Sequence, residues 1–295
     1  MENISVVYHY IRDNQRMHAL TPKQFESQIS FFSRDYKLIT LTELLNKDNS
    51  EKTCTITFDD GLKDSYNVIP VLNKFSAKAV FFLPCSILSG SKKVLAVQKR
   101  HYLLAEIGVE KFTEEFNKIS DESHKIKPDK RIQELWNKNR ALSIYDDVLT
   151  ANLKYTLDYG TPDKIESFLG KVFNKFFDEE KEFDKMYMNK KEIKLLEKQG
   201  MDMGIHGLNH KWLGKLTPKE QFAELSKSVE LFDDFFGYKP KYISYPHGDY
   251  NLSTLRILKE LGFKAGYTIK EHDNTNLDNP LELGRYDCAR YLKEK

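Results

Sequence analysis

Short runs rich in β-branched and aromatic residues alternate along most of the chain with longer runs whose apolar residues recur every three or four positions. The short runs predict strands, and the longer runs predict helices that bury one face. The predicted strands span residues 4–8, 37–40, 53–58, 79–83, 202–206, 242–245, 265–269 and 282–286. Because strands and helices alternate, the pattern predicts an α/β fold in which helices wrap a parallel sheet or barrel.

Two of the predicted helices have clearly marked starts. Residues 21–24 and 217–220 each place a threonine at the N-cap, a proline at the first helical position and Gln or Glu three residues after the cap. This spacing is typical of a capping box, in which the cap and the third helical residue satisfy each other's backbone N–H groups. Gly237 is expected to end the second of these helices.

One long segment departs from the alternating pattern. Residues 89–186 contain no clear strand, only runs rich in Lys and Glu with helical spacing. We therefore expect a barrel domain formed by residues 1–88 and 187–295, interrupted by a largely helical insertion at 89–186. The insertion is expected to act as a lid or as an oligomer contact, and the alternative is a solvated subdomain with no role at a site.

The charge of the chain is balanced, since 46 Lys and Arg residues face 44 Asp and Glu residues and leave a net charge of +2. This balance gives no electrostatic basis for nucleic-acid binding. No stretch approaches the roughly 18 apolar residues of a membrane span, and the first residues lack a basic and apolar leader. Cys54, Cys85 and Cys288 are odd in number and far apart, so we expect reduced thiols in a cytoplasmic protein.

The sharpest local signal follows the strand predicted at 53–58. Residues 57–61 read TFDDG, so two adjacent carboxylates, Asp59 and Asp60, stand where the chain leaves the sheet. There they can converge on one point, a shared cation would suppress their repulsion, and a glycine lets the backbone turn tightly. A simple turn, or a helix N-cap before Lys63, is the alternative interpretation.

A second signal follows the strand predicted at 202–206. Residues 206–210 read HGLNH, which places His206 and His210 four positions apart. Both imidazoles can face one ion in a compact turn, although such a pair alone often occurs by chance. Combined with a carboxylate from another strand end, two histidines form a set of zinc ligands typical of hydrolytic enzymes, with an open position for water.

In these motifs the sequence resembles the polysaccharide deacetylase family, also called carbohydrate esterase family 4 or the NodB homology domain. A third motif supports the resemblance, since residues 244–248 read SYPHG where the family usually has RxPYG. The resemblance implies a distorted (β/α) barrel with fewer than eight strands, and we expect about seven parallel strands. It also implies that Asp59 is the general base and that Asp60, His206 and His210 hold a divalent metal ion, for which Zn²⁺ is the expected identity.

The sequence departs from the family pattern at two places. Ser244 stands where the family often has an arginine that pairs with the base, and Arg285 is a candidate replacement. The family's late Leu-x-His motif, the source of the general acid, has no clear match, because the late part of the chain offers only His272. His247 and His9 are the other available imidazoles, and each could equally be a hydrogen-bonded structural histidine.

By the same resemblance, His247 is expected to take part in catalysis by offering its backbone N–H to the oxyanion. The residues expected to contact substrate are Tyr245, Pro246, Asp249, Arg285 and His9.

The function implied by the resemblance is metal-dependent removal of an N-acetyl group from an amino sugar. The expected substrate is a free, nucleotide-linked or lipid-linked sugar used in envelope glycan synthesis, and the chain could act as a homo-oligomer. Two other functions stay open. The altered third motif and the unassigned acid suggest an amidohydrolase for a small non-sugar amide or imide, and the insertion suggests a binding protein whose site has lost activity.

Overall fold

The structure is a computed structural model that describes residues 2–13, 17, 19–46, 51–139, 146–160 and 162–292. Its contacts divide the chain into two compact units, which are Met1–Lys92 with Asp184–Lys295, and Lys93–Phe183. All the strands found in the described residues belong to the first unit. The site that the sequence predicts therefore has to be sought in that unit.

One parallel sheet forms the centre of the first unit. Its strands are β1 (Asn3–Tyr8), β2 (Lys37–Leu38), β3 (Thr53–Phe58), β4 (Ala79–Leu83), β5 (Asp202–Ile205), β6 (Tyr242–Ser244), β7 (Ala265–Tyr267) and β8 (Tyr286–Asp287). Seven of them follow the order β7-β6-β5-β4-β3-β1-β8, and β2 pairs with β3 beside this path. Every pairing is parallel, as the alternation of strands and helices predicts.

The two ends of this sheet approach each other. The Leu283 N–H donates to the carbonyl of Gly266 at 2.9 Å, and the Thr268 N–H donates to the carbonyl of Leu283 at 2.9 Å. The segment that leads into β8 therefore pairs with β7, while β8 itself pairs with β1. The sheet curls into a distorted barrel, and the predicted fold class is confirmed.

Twelve helices lie in the described residues, with these bounds: α1 (Pro22–Asp35), α2 (Leu41–Asn46), α3 (Lys63–Asn67), α4 (Ile69–Lys74), α5 (Ala96–Ile119), α6 (Lys130–Asn139), α7 (Val148–Tyr159), α8 (Pro162–Phe176), α9 (Glu179–Met186), α10 (Lys190–Lys198), α11 (Pro218–Phe236) and α12 (Leu252–Glu260). The second unit contains α5 to α8 and most of α9, so the described part of the strandless segment is largely helical, as predicted. Helix α5 is interrupted at Gly108, where φ is +76°.

Both predicted capping boxes are present. The Thr21 and Thr217 side chains accept the backbone N–H of the third helical residue, at 3.2 Å in α1 and 3.4 Å in α11. In return, the side chains of Gln24 and Glu220 accept the backbone N–H of the two caps. Gly237 ends α11 in the left-handed conformation, with φ of +84°, where a glycine carries no steric penalty.

Burial agrees with a parallel sheet that is covered on both faces. Every residue of β1, β3 and β4 is buried, including the three threonines of β3. The hydroxyl of Thr57 donates to the carbonyl of Val6 at 3.0 Å, so a buried polar side chain is satisfied by the neighbouring strand. The three cysteines are buried and free, as expected. Among the described residues, no helix is long and apolar enough to cross a membrane.

Candidate metal centre

Four of the predicted site residues lie where strands of the central sheet end. His9, Asp59, His206 and Tyr245 are each the first residue after β1, β3, β5 and β6, respectively. Because all these strands are parallel, their carboxyl ends lie at one edge of the barrel, which is where α/β folds place their sites. Side chains that are far apart in the sequence therefore meet at this edge.

Three predicted ligands converge there. Asp60 Oδ1 lies 3.5 Å from His206 Nε2 and 3.4 Å from His210 Nε2. One potential ligand atom from each of the three side chains lies within 4.8 Å of the others, and each side chain is at most 7% exposed. One carboxylate and two imidazoles at this spacing form a donor set suited to a divalent ion such as Zn²⁺.

The protonation of the two rings also fits a metal site. His206 Nδ1 lies 2.7 Å from the carbonyl oxygen of Ser244, which can only accept, so Nδ1 carries the proton and the lone pair of Nε2 faces Asp60. Burial, together with the neighbouring rings of His247 and His206, lowers the pKa of His210 well below its ordinary value. A neutral imidazole is the form that binds metals.

The backbone around Asp60 is shaped to present its carboxylate. Asp60 and Gly61 both have positive φ values, +68° and +64°, which only glycine adopts without strain. A Cβ atom at Gly61 would lie 2.6 Å from the Cδ1 atom of Ile87, so the Ile87 side chain would have to shift to admit a side chain there. Helix α3 begins after Leu62 and has no side-chain cap, so neither aspartate acts as the N-cap. The N-cap alternative is wrong.

Asp59 lies beside the three predicted ligands and is paired with Arg285, which comes 226 positions later in the sequence. Its Oδ2 atom is 3.9 Å from His206 Nε2. Arg285 donates from Nη1 to Oδ1 and from Nη2 to Oδ2, both at 2.9 Å, and Ser244 Oγ donates to Oδ2 at 3.0 Å. Burial would raise the pKa of Asp59, but the charge of the paired Arg285 guanidinium lowers it below its ordinary value. The carboxylate is therefore ionised at neutral pH.

Arg285 makes the contact with Asp59 that the family often assigns to an arginine at the position of Ser244. Its Nη2 also donates to Ser244 Oγ at 2.8 Å, and its guanidinium lies 5.3 Å from the centre of the Tyr267 ring. The residue is 3% exposed, and it contacts Asp59 from within the barrel. The prediction of a replacement for the missing arginine matches this geometry, whereas a direct contact between Arg285 and substrate does not.

Residues in and just after the third motif are buried or hydrogen-bonded within the protein. Tyr245 is buried, and its hydroxyl donates to the carbonyl of Leu281 at 2.7 Å, while Pro246 is also buried. Asp249 Oδ2 accepts the backbone N–H of Gly214 at 2.6 Å. These three residues shape the loop around the site, and burial leaves Tyr245 and Pro246 little surface to offer a substrate. The assignment of all three residues as substrate contacts stays a prediction.

The histidines considered for the general acid differ in their surroundings. His9 is 40% exposed, and its Nε2 lies 3.9 Å from Asp59 Oδ2. The His247 ring lies 4.4 Å from the His210 ring and stacks on Trp212 at 4.1 Å. His272 is exposed, and its Nδ1 donates to the carbonyl of Asp273 at 2.8 Å. The structure thus places His9 next to Asp59 and His247 next to His210.

Two contacts at the site were missed at the level of the sequence. Trp212 supports the His247 ring, and its position two residues after His210 is the signal that could have suggested it. Ser244 was read only as the loss of an arginine, whereas its hydroxyl bridges Asp59 and Arg285. A serine at a motif position gives no such signal, because the contact depends on a residue 41 positions later.

Comparison with known proteins agrees with the motifs. Residues 170–266 match the model of the polysaccharide deacetylase family, a range that includes the second and third motifs. The protein YxkH of Bacillus subtilis is 33% identical over 84 residues, which are 28% of this chain and 30% of that protein. The peptidoglycan deacetylase of Helicobacter pylori is 30% identical over 84 residues, 28% of this chain and 29% of that protein. The alignments thus span less than a third of each relative.

The fold has solved counterparts. The structure of the deacetylase PplD of Streptococcus pyogenes, in complex with acetate, aligns with 97% of this chain and 92% of its own, with a TM-score of 0.59 and 19% identity. This likeness shows a shared fold. The first motif lies outside the range matched by the family model, but the structure brings its aspartates to the two histidines. The recognition of the polysaccharide deacetylase family from the three motifs is thus confirmed.

Proposed function

We propose that the chain is a metal-dependent hydrolase that removes the N-acetyl group from an amino sugar. The observation that carries the proposal is the Asp59 carboxyl group, paired with Arg285, beside the converging side chains of Asp60, His206 and His210. The names of its relatives support the reaction, since one is a peptidoglycan deacetylase and another a deacetylase solved with acetate.

The residues that would hold the ion are Asp60, through Oδ1, and His206 and His210, through their Nε2 atoms. When bound, Zn²⁺ would supply Lewis-acid chemistry by polarising an amide carbonyl and acidifying water. The carbonyl of Ser244 fixes the His206 ring in the orientation that this role requires.

Asp59 is the proposed general base. Its carboxylate is ionised because Arg285 is paired with it, and it lies next to the ligand set without belonging to it. In this position the carboxylate can accept the proton of the attacking water. Arg285 and Ser244 hold both carboxylate oxygens, so the base is kept in one orientation.

His9 is the proposed general acid, which protonates the leaving amine. Its side chain is 40% exposed, and its Nε2 lies 3.9 Å from Asp59 Oδ2. His247, in contrast, is held between Trp212 and His210, an arrangement that suits a supporting role for its ring. The proposed contribution of His247 to catalysis is the backbone N–H that it offers to the oxyanion.

The proposed substrate is an N-acetylated amino sugar, either free or linked to a nucleotide or a lipid. The altered third motif and the unassigned acid had suggested a small amide or imide instead, but Arg285 supplies the charge that Ser244 lacks, which answers the first of these two arguments. The presence of the four site residues Asp59, Asp60, His206 and His210 likewise argues against an inactive binding protein.

Acetate release tests this proposal most simply. Zn²⁺-loaded protein is incubated with N-acetylglucosamine, its nucleotide-linked and lipid-linked forms, an N-acetylated polymer and a cyclic imide. We expect acetate from at least one N-acetyl sugar and a loss of about 10²- to 10⁴-fold in Asp59→Asn. Hydrolysis of the imide alone would refute the proposed substrate class, and equal rates for Asp59→Asn and wild type would refute the proposed base.

A further inference from the structure

We propose that Glu224, which lies outside the three motifs, is a positioning residue that fixes the turn between His206 and His210 and thereby sets the metal affinity of the site. The inference rests on the proposed metal site. Glu224 lies on α11, and its Oε1 accepts the backbone N–H of Leu208 at 3.1 Å and that of Asn209 at 2.9 Å. One carboxylate oxygen thus binds the backbone of two of the three residues between the histidines.

The same turn is held on its other side by backbone groups. The N–H of Cys85 donates to the carbonyl of Gly207 at 2.9 Å, and the N–H of Ser86 donates to the carbonyl of Leu208 at 3.0 Å. The turn is therefore clamped between α11 and the segment that follows β4. Since Cys85 and Ser86 contribute only backbone atoms, the Glu224 carboxylate is the part of this clamp that a substitution can remove.

The turn needs this support because its backbone is strained. Gly207 and His210 have φ values of +69° and +57°, and the left-handed region is unfavourable for a residue other than glycine, such as His210. That conformation turns the His210 ring towards Asp60, with 3.4 Å between His210 Nε2 and Asp60 Oδ1. Without the two hydrogen bonds from the turn to Glu224, the backbone can relax and His210 can move out of reach of Asp60.

The burial of Glu224 also supports its role in holding the turn. The residue is 7% exposed, and a buried carboxylate destabilises a protein unless it is hydrogen-bonded. The two N–H donors of the turn supply that bonding, and charge-assisted bonds of this kind are about twice as strong as neutral ones. Glu224 and the turn therefore stabilise each other, and the metal site is formed before an ion arrives.

Isothermal titration of the metal-depleted full chain with Zn²⁺ tests the inference without measuring activity. Glu224→Ala is expected to raise the Kd for Zn²⁺ by about tenfold to about 100-fold, the range typical of residues that orient metal ligands. Glu224→Gln keeps an oxygen that can accept both N–H groups, so its Kd is expected to stay within about fivefold of wild type. A Kd for Glu224→Ala within about twofold of wild type would overturn the inference.

Two further variants complete the test. Glu230→Gln alters an exposed glutamate on the same helix, paired with Lys227, and is expected to leave the Kd unchanged. If Glu224→Ala does not fold, as judged by circular dichroism, Glu224→Asp decides. Its shorter side chain cannot reach both N–H groups, so it must also lose about tenfold in affinity, and unchanged affinity refutes the inference. If wild type itself takes up no Zn²⁺, the proposed function fails first.

Discussion

Asp59 is a buried carboxylate, and pairing with Arg285 is the largest influence that lowers its pKa. The two side chains form a bidentate pair that is 3% exposed on each side, and Ser244 adds a hydrogen bond to both. In such surroundings the pairing decides the protonation state, because burial alone favours the neutral carboxyl. The family places this arginine in the third motif, and here it comes from the segment just before β8.

Replacement of Arg285 by methionine is expected to change the pH dependence of the reaction. Burial then raises the pKa of Asp59, so the carboxylate takes up a proton at a higher pH than in wild type. Because the base acts only when ionised, the variant should lose about tenfold more of its deacetylation rate than wild type between about pH 7 and about pH 5. Profiles of kcat/KM against pH measure this effect.

Arg290→Met is the matched control for this prediction, because Arg290 is half-exposed and paired with Glu271 at the surface. Its profile is expected to follow that of wild type. If the Arg285→Met and wild-type profiles differ only in height and not in their acid limbs, Arg285 does not control the ionisation of Asp59.

The role of His9 can be separated from metal binding through the leaving group. We expect His9→Gln to lower the rate on an N-acetyl sugar by about 10²- to 10⁴-fold, since an amine has to be protonated before it leaves. An aryl acetate should be much less affected, because a phenolate leaves without a proton. Acetate release from the two substrates is compared, with His272→Gln, an exposed histidine, as the control. An equal loss on both substrates would contradict the assignment of His9 as the acid.

At the level of elements, the sequence predicted best the strands that are long, continuous runs of buried residues. Strands β3 and β4 have the predicted bounds, because each is a buried run of five or six residues with clear ends. The strand predicted at 265–269 ends at Tyr267. The last strand was predicted at 282–286, but β8 spans Tyr286–Asp287 and shares only Tyr286 with that range. Short strands are set by the partners they meet in the barrel, and these partners are not visible in a single sequence.

The same distinction applies to the site. Asp59, Asp60, His206 and His210 could be named in advance, because each belongs to a compact motif at a strand end. The contacts made by Glu224 could not, because an isolated glutamate on a predicted amphipathic helix is usually solvated. Its partners lie 15 and 16 residues earlier, and only the packing of α11 on the barrel brings them together.

Helix α11 offers a test at this level. Thr217→Ala removes the side chain that accepts the Glu220 N–H, and it should lower the free energy of unfolding by about 0.5–2 kcal/mol. Thr217→Ser keeps the hydroxyl and should retain most of that stability. Urea denaturation followed by circular dichroism measures the difference. If the alanine and serine variants are equally stable, the capping box does not stabilise α11 in the folded protein.

At the level of the whole molecule, the proposed chemistry lies within the barrel unit, Met1–Lys92 with Asp184–Lys295. The role of the predicted insertion at 89–186, as a lid or an oligomer contact, stays a prediction. Light scattering of the full chain in solution tests the oligomer contact directly. A monomer at all concentrations would leave the lid and the solvated subdomain as the remaining interpretations.

Metal removal should affect the stability of the folded chain. A ligand that binds only the folded state stabilises it by about 2.7 kcal/mol at a free concentration of 100 times the Kd. We therefore expect a chelator to lower the Tm of the Zn²⁺-loaded protein, and added Zn²⁺ to restore it. His210→Ala, which lacks one proposed ligand, should show a much smaller response. A Tm that does not respond to chelation in wild type would argue against a metal in the folded state.

A crystal structure of the protein grown with Zn²⁺, with anomalous data collected at the zinc edge, tests the central claim most directly. The account predicts one ion bound by Asp60 Oδ1 and the Nε2 atoms of His206 and His210, with Asp59 beside it and still paired with Arg285. An ion bound elsewhere, or these three side chains pointing away from a common centre, would contradict it.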